Sequence, residues 1–169
     1  MNILLWLAYK GTNYSGFQVQ PNGVTVCAVV QDAMQSVFGT RPDVKGCSRT
    51  DAGVHARRFA LNFHYDGRIP VQRIPLAMDV RALAAQQVPD DFHARYAAHA
   101  KTYHYRLRCS AVDDPFDYET CHRVNGPLDL AAMQAAAAHF VGRHDFLVLC
   151  ASGSSAAAHG DTVRTITAC

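Results

Sequence analysis

The sequence lacks a long apolar run. Its longest, residues 3–7, falls far short of the roughly 20 residues that a membrane-spanning helix needs. That run follows Met1-Asn2 directly, without a basic leader, so it is not a secretory signal, and a cytoplasmic location is expected. There is no C-x-x-C pair: Cys27, Cys47, Cys109, Cys121, Cys150 and Cys169 are widely scattered. Free thiols are therefore expected rather than a disulfide framework. Cys121-His122 has no second paired-ligand element, so no metal site is expected. Charge is sparse at 18% of residues against 49% hydrophobic, which excludes a disordered chain and suits a soluble globular one.

The formal net charge of +2 says little about nucleic acid, but the distribution says more. Arg95, Lys101, Arg106 and Arg108 occur in residues 92–109 with no acid among them. Arg41, Lys45, Arg49, Arg57 and Arg58 occur in residues 40–64 against Asp43 and Asp51 alone. The acids gather at Asp113, Asp114, Asp117 and Glu119. Segregated basic segments fit a phosphate-facing surface as well as an ordinary solvated face.

Residues 3–9 present apolar side chains on both alternating faces, as in a central strand covered on both sides. Val26, Val29, Val30, Ala33, Met34, Val37 and Phe38 recur at helical spacing, with Thr25 as N-cap and Gly39 as stop. Phe59, Leu61, Phe63 and Tyr65 alternate with Ala60, Asn62 and His64, the period of a half-buried strand. A further strand is expected over 80–88. Alternation predicts another over 97–109, with Tyr103, Tyr105 and Leu107 on one face. Asp129 can cap a helix bearing Leu130, Met133, Ala137, Phe140 and Val141 and ending at Gly142. Residues 151–160 are expected to form a loop, and the β-branched run at 162–167 a last strand. This order predicts an α+β fold, an antiparallel or mixed sheet with helices packed on one face.

The chemistry concentrates in Ser48-Arg49-Thr50-Asp51-Ala52-Gly53-Val54-His55-Ala56, between two expected strands. Its one carboxylate, Asp51, lies next-but-one to Arg49, whose charge would favour an ionised acid able to act as nucleophile or base. Gly53 permits a backbone angle closed to other residues. By residue type alone such a stretch is far more often a turn cap with a surface arginine than a catalytic site.

This stretch resembles the Arg-Thr-Asp-Ala-Gly-Val-His signature of the A-type tRNA pseudouridine synthases. The resemblance continues in order along the chain. Tyr9-Lys10-Gly11-Thr12-Asn13-Tyr14-Ser15-Gly16-Phe17-Gln18-Val19-Gln20 is similar to the family's first strand and turn. Phe92-His93-Ala94-Arg95-Tyr96 and Lys101-Thr102-Tyr103-His104-Tyr105 are similar to its FHAR and K-x-Y-x-Y blocks. Leu128-Asp129, Gly142-Arg143-His144-Asp145-Phe146 and Arg164-Thr165-Ile166 follow its later helix, turn and strand.

The resemblance implies isomerisation of uridine to pseudouridine in the anticodon stem-loop of tRNA, without cofactor or metal, by a homodimer. It implies that Asp51 is the catalytic carboxylate and that Tyr103 stacks on the extruded base. Arg49 would fill the vacated place in the stack. Flipping a base costs a few kcal/mol, which stacking and phosphate contacts must offset. Arg57, Arg58, Arg95 and Lys101 are the natural phosphate contacts. Two halves are expected, 1–90 carrying the catalytic loop and 91–169 a partial second half. His55 is expected to brace the loop rather than take part in the chemistry.

The sequence departs from the family pattern at several places. Ser48 stands where glycine is usual, and Phe59 and Cys27 stand where glutamine is usual. An Asn and Leu-Pro segment is missing between Met78 and Asp79. No Met-Val-Arg block follows Arg164-Thr165-Ile166, so a fold incomplete at its C-terminus is expected, the chain being a fragment or a decayed relative. A tRNA-binding remnant without turnover is the alternative to an active isomerase. A hydrolase pairing Asp51 with His55 is chemically conceivable, but the resemblance argues against it.

Overall fold

The structure, a computed structural model, describes residues 1–77, 81–151 and 155–169. Strand β1 (Asn2–Tyr9) leads through a long turn to helix α1 (Val26–Phe38), then β2 (Lys45–Gly46) and β3 (Ala56–His64). The short helix α2 (Ile74–Ala77) precedes β4 (Ala82–Val88). Beyond these come β5 (Leu107–Cys109), β6 (His122–Val124), α3 (Leu130–Ala138), β7 (Gly142–Asp145), α4 (Ser155–Ala158) and β8 (Val163–Ile166). The described residues form two compact units, Met1–Arg106 and Leu107–Cys169.

The first unit is an antiparallel sheet in the order β2-β3-β1-β4 with α1 on one face. Strand β1 is central because it is apolar on both sides. Ile3, Leu5 and Leu7 meet Phe59, Leu61 and Phe63 of β3 and Val26, Val30 and Met34 of α1 in one core. Each such side chain contributes roughly 1.5–3 kcal/mol by leaving water. The helix starts and stops where its sequence says. Thr25 Oγ1 accepts from the Ala28 N–H at 3.4 Å, and Gly39, at φ 74°, donates its N–H to the Gln35 carbonyl.

On the opposite face, two buried asparagines hold the segment after β4. Asn62 donates to Asn2 Oδ1 and to the Phe92 carbonyl, and its own Oδ1 accepts the Ala94 N–H at 2.8 Å. Asn2 donates to the carbonyls of Pro89 and Phe92. Both side chains are at most 3% exposed, and they satisfy backbone groups that a loop over a sheet would otherwise leave unpaired. The FHAR block is thereby pinned to β1 and β3.

The second unit is sparser. Strands β5 and β6 pair in parallel, and β7 and β8 pair antiparallel. Asp129 caps α3 as expected, its carboxylate accepting the Ala132 N–H at 2.9 Å. The helix ends earlier than the sequence suggests, at Ala138. The chain then tightens into i→i−3 bonds from His139, Phe140 and Val141 before Gly142 opens β7. Its apolar face is uncovered: Leu130, Met133, Phe140 and Val141 are all exposed.

The strand expected over 97–109 is confined to Leu107–Cys109. Alternation makes a strand only where a neighbour accepts its backbone bonds and covers one face. Among the described residues no strand pairs with 97–106, and Tyr103 and Tyr105 are 83% and 77% exposed. Part of the expected 151–160 loop is the short helix α4, and residues 152–154 lie outside the described residues. So does the Met78–Asp79 junction where the family segment is missing.

Candidate active site

The Asp51 loop occupies residues 47–55, between β2 and β3. Asp51 opens a tight turn in which the Val54 N–H donates to the Asp51 carbonyl at 3.3 Å. Gly53 sits at the third position of that turn with φ 78°, which a side chain would strain. The Asp51 side chain is left exposed at the tip of the turn.

The loop is exposed but not loose, because the turn after β1 grips it along its length. Tyr9 Oη and Thr50 Oγ1 share a hydrogen bond of 3.1 Å. The Phe17 N–H donates to the Thr50 carbonyl at 3.0 Å, and the Gly53 N–H donates to the Tyr14 carbonyl at 3.2 Å. The Gly11 N–H donates to His55 Nδ1 at 2.9 Å. So close a grip needs backbone without side chains. A Cβ on Gly11 would lie 2.0 Å from the Val54 carbonyl oxygen, and one on Gly16 would lie 2.5 Å from that of Thr50. Gly11 and Gly16 thus let the first turn hold the loop.

Beneath this clasp lies aromatic packing. Phe17 and Phe59 have ring centroids 4.5 Å apart, and Tyr9 and Phe59 have theirs 5.8 Å apart. Gly46 makes room for the pair, since a Cβ there would lie 2.5 Å from a Phe17 ring carbon. Two of the departures from the family pattern, Phe59 and Cys27, are members of this core. Burial raises the Tyr9 hydroxyl above its ordinary value of 10.0, partly countered by its bond to Thr50. Burial likewise raises the Cys27 thiol.

The structure places the remaining candidates around the first unit but does not gather them. Arg49 and Asp51 are both exposed, and among the described residues no hydrogen bond or ion pair joins them. The electrostatic support expected from Arg49 is therefore not seen as a contact. Two neighbouring exposed side chains on a loop keep their hydration instead. Tyr103 stands in the segment outside regular structure, exposed, with no hydrogen bond or ring contact among the described residues. Lys101 and Arg57 are exposed. Arg58 lies over Trp6 at 4.5 Å, and Arg95 over Tyr96 at 6.0 Å, so both cations rest on aromatic faces of the first unit. His55 is half-buried and braces the loop through Gly11. The grip of residues 9–17 was not foreseen from sequence. Its signal was the pair of glycines flanking Tyr14, Gly11 and Gly16.

Among the described residues no helix is long and apolar enough to cross a membrane. The profile of a family described as tRNA pseudouridine synthase matches residues 6–97, which hold the second half of β1, the clasp and the Asp51 loop. The tRNA pseudouridine synthase A of Citrifermentans bemidjiense is 42% identical over 171 residues, covering 98% of this chain and 67% of the relative. That of Thermoanaerobacter sp. strain X514 is 38% identical, covering 98% and 69%. That of Moorella thermoacetica is 44% identical over 156 residues, covering 88% and 63%. The chain thus spans about two thirds of the length of the relatives it matches. On an Asp51 loop clasped by the turn after β1, and on identity along nearly its whole length, this chain belongs to the tRNA pseudouridine synthase family of isomerases.

Proposed function

We propose that this chain isomerises uridine to pseudouridine in the anticodon stem-loop of tRNA, with Asp51 as the carboxylate that acts on a flipped nucleotide. The observation that carries this reading is an exposed carboxylate at the tip of a turn held by four hydrogen bonds to residues 9–17. Such a group is reachable by a nucleotide yet fixed in place, as chemistry on a sugar requires. The bond between N1 and ribose C1′ breaks, the uracil turns, and C5 bonds to C1′. C5 then releases its proton and N1 gains one, so the reaction needs no oxidant, reductant or cofactor.

In this reading Tyr103 stacks on the extruded base and Arg49 takes its vacated place. Arg57, Arg58, Arg95 and Lys101 contact phosphates. The exposure of Tyr103 suits a residue that orders on binding RNA, where stacking on an aromatic is worth about 1–3 kcal/mol per base. The working form is a homodimer in the cytoplasm.

A second reading is a tRNA-binding remnant without turnover. It is favoured by the absence, among the described residues, of any cation paired with Asp51. Tritium release from tRNA labelled at uridine C5 separates the two. Release that vanishes in Asp51→Ala supports the isomerase. Binding of tRNA by a folded sample that releases no tritium would sink the isomerase and leave the remnant.

A further inference from the structure

The mechanism proposed above gives His55 no chemical role, yet its ring accepts the Gly11 N–H and so joins the first turn to the end of the Asp51 loop. The bond is specific about protonation. A backbone N–H always donates, so Nδ1 of His55 must carry a lone pair and the ring proton must sit on Nε2. The donor is buried Gly11, whose missing side chain lets the two segments come this close. His55 directly follows Val54, whose N–H closes the turn on the Asp51 carbonyl. Fixing His55 therefore fixes the C-terminal leg of the turn that carries Asp51.

We propose that His55 is a positioning residue for Asp51, acting as a neutral hydrogen-bond acceptor at Nδ1 that locks the turn to Gly11. This rests on the isomerase reading. Removing the acceptor loosens the loop's C-terminal leg, where the Gly53 bond to the Tyr14 carbonyl remains, while the Tyr9 and Phe17 bonds still hold its N-terminal leg at Thr50. The carboxylate then samples positions off the reacting sugar, and a misplacement of about 1 Å can cost on the order of 100-fold in rate. The effect falls on turnover, because Arg49 lies beside Thr50, which stays held, and Arg57 and Arg58 are carried by strand β3.

The test compares His55→Ala, His55→Asn and His55→Gln in the full chain. Asparagine carries Oδ1 on the same γ carbon that bears Nδ1 in histidine, so it can accept the Gly11 N–H from the same place. Glutamine sets its oxygen one atom further out. Tritium release should fall roughly 10- to 100-fold in kcat for His55→Ala and His55→Gln with KM little changed, and His55→Asn should recover most of it. Amide hydrogen exchange, read without any substrate, should quicken at Gly11, Gly53 and Val54 in His55→Ala and return towards the parent in His55→Asn. A His55→Ala protein that matches the parent in kcat, or an asparagine variant no better than alanine, overturns the proposal. A parent chain that releases no tritium would count against the isomerase reading, and the exchange pattern would then decide the locking role alone: unchanged exchange overturns it.

Discussion

Single residues in the first unit carry unequal burdens, and the buried asparagines carry one of the largest. Asn62→Ala would strand the Ala94 N–H and remove a donor from the Phe92 carbonyl, next to an Asn2 left half-partnered. Leaving such groups unpaired costs about 1–3 kcal/mol each. We expect Asn62→Ala to lower stability by roughly 2–4 kcal/mol, measured by urea unfolding, and a change below about 1 kcal/mol would refute the pinning role. Gly11→Ala is a sharper case. Its methyl would meet the Val54 carbonyl at 2.0 Å, so either the turn or the Asp51 loop must move. Tritium release should fall by at least tenfold while the circular dichroism of the sheet is kept. Sequence alone marks Asp51 and Arg49 but misjudges their relation, because neighbours in a loop need not be partners in space.

At the scale of elements, α1 was legible in every part. Its spacing, its threonine cap and its glycine stop are local features, and local geometry decides them. Strand β1 and strand β3 were equally plain, since each has apolar positions at a strand's period. The segment 97–106 shows the opposite. Its alternation is as clean as that of β3, but a strand is completed by its neighbour, and the sequence of one strand does not say whether that neighbour is there. The β1–α1 core also sets an alkaline limit. Tyr9 and Cys27 are both shifted upward by burial, so the folded state holds their protons more tightly than the unfolded chain. Their contribution is intact below the ordinary values of 9.0 for the thiol and 10.0 for the phenol. It is lost as pH rises above them. Urea midpoints should therefore fall between about pH 9 and 11, and fall less in Tyr9→Phe than in the parent. An equal fall in both would show that Tyr9 takes no part.

For the molecule as a whole, the contrast between the two units decides behaviour. The first has a core of thirteen buried residues, whereas in the second Thr162 is the one residue buried among those described. Helix α3 has nine residues and no buried side chain, and a helix of that length is marginal without packing. Amide exchange should accordingly be slow in β1 and β3 and fast throughout α3. Trypsin should cut first at Lys101 or Arg106, in the exposed segment outside regular structure, and release a fragment beginning at Met1 that resists further digestion. Protection of α3 equal to that of β1 would mean that its apolar face is covered in solution.

By itself the sequence determined the family, the catalytic candidate Asp51, and the elements whose signals are local: β1, α1 with both caps, β3, and the Asp129 cap of α3. These follow from periodicity and side-chain chemistry within a few residues. The tertiary structure alone decided what holds Asp51. The clasp joins residues 9–17 to residues 50–55 through backbone groups and three side chains, and backbone donors leave no mark in a sequence except the glycines that let them approach. It alone decided that Asn2 and Asn62, which read as ordinary strand residues, are the buried pins of the FHAR block. It also decided that the tyrosine segment stands uncovered, because pairing and burial belong to two segments at once and are written in neither.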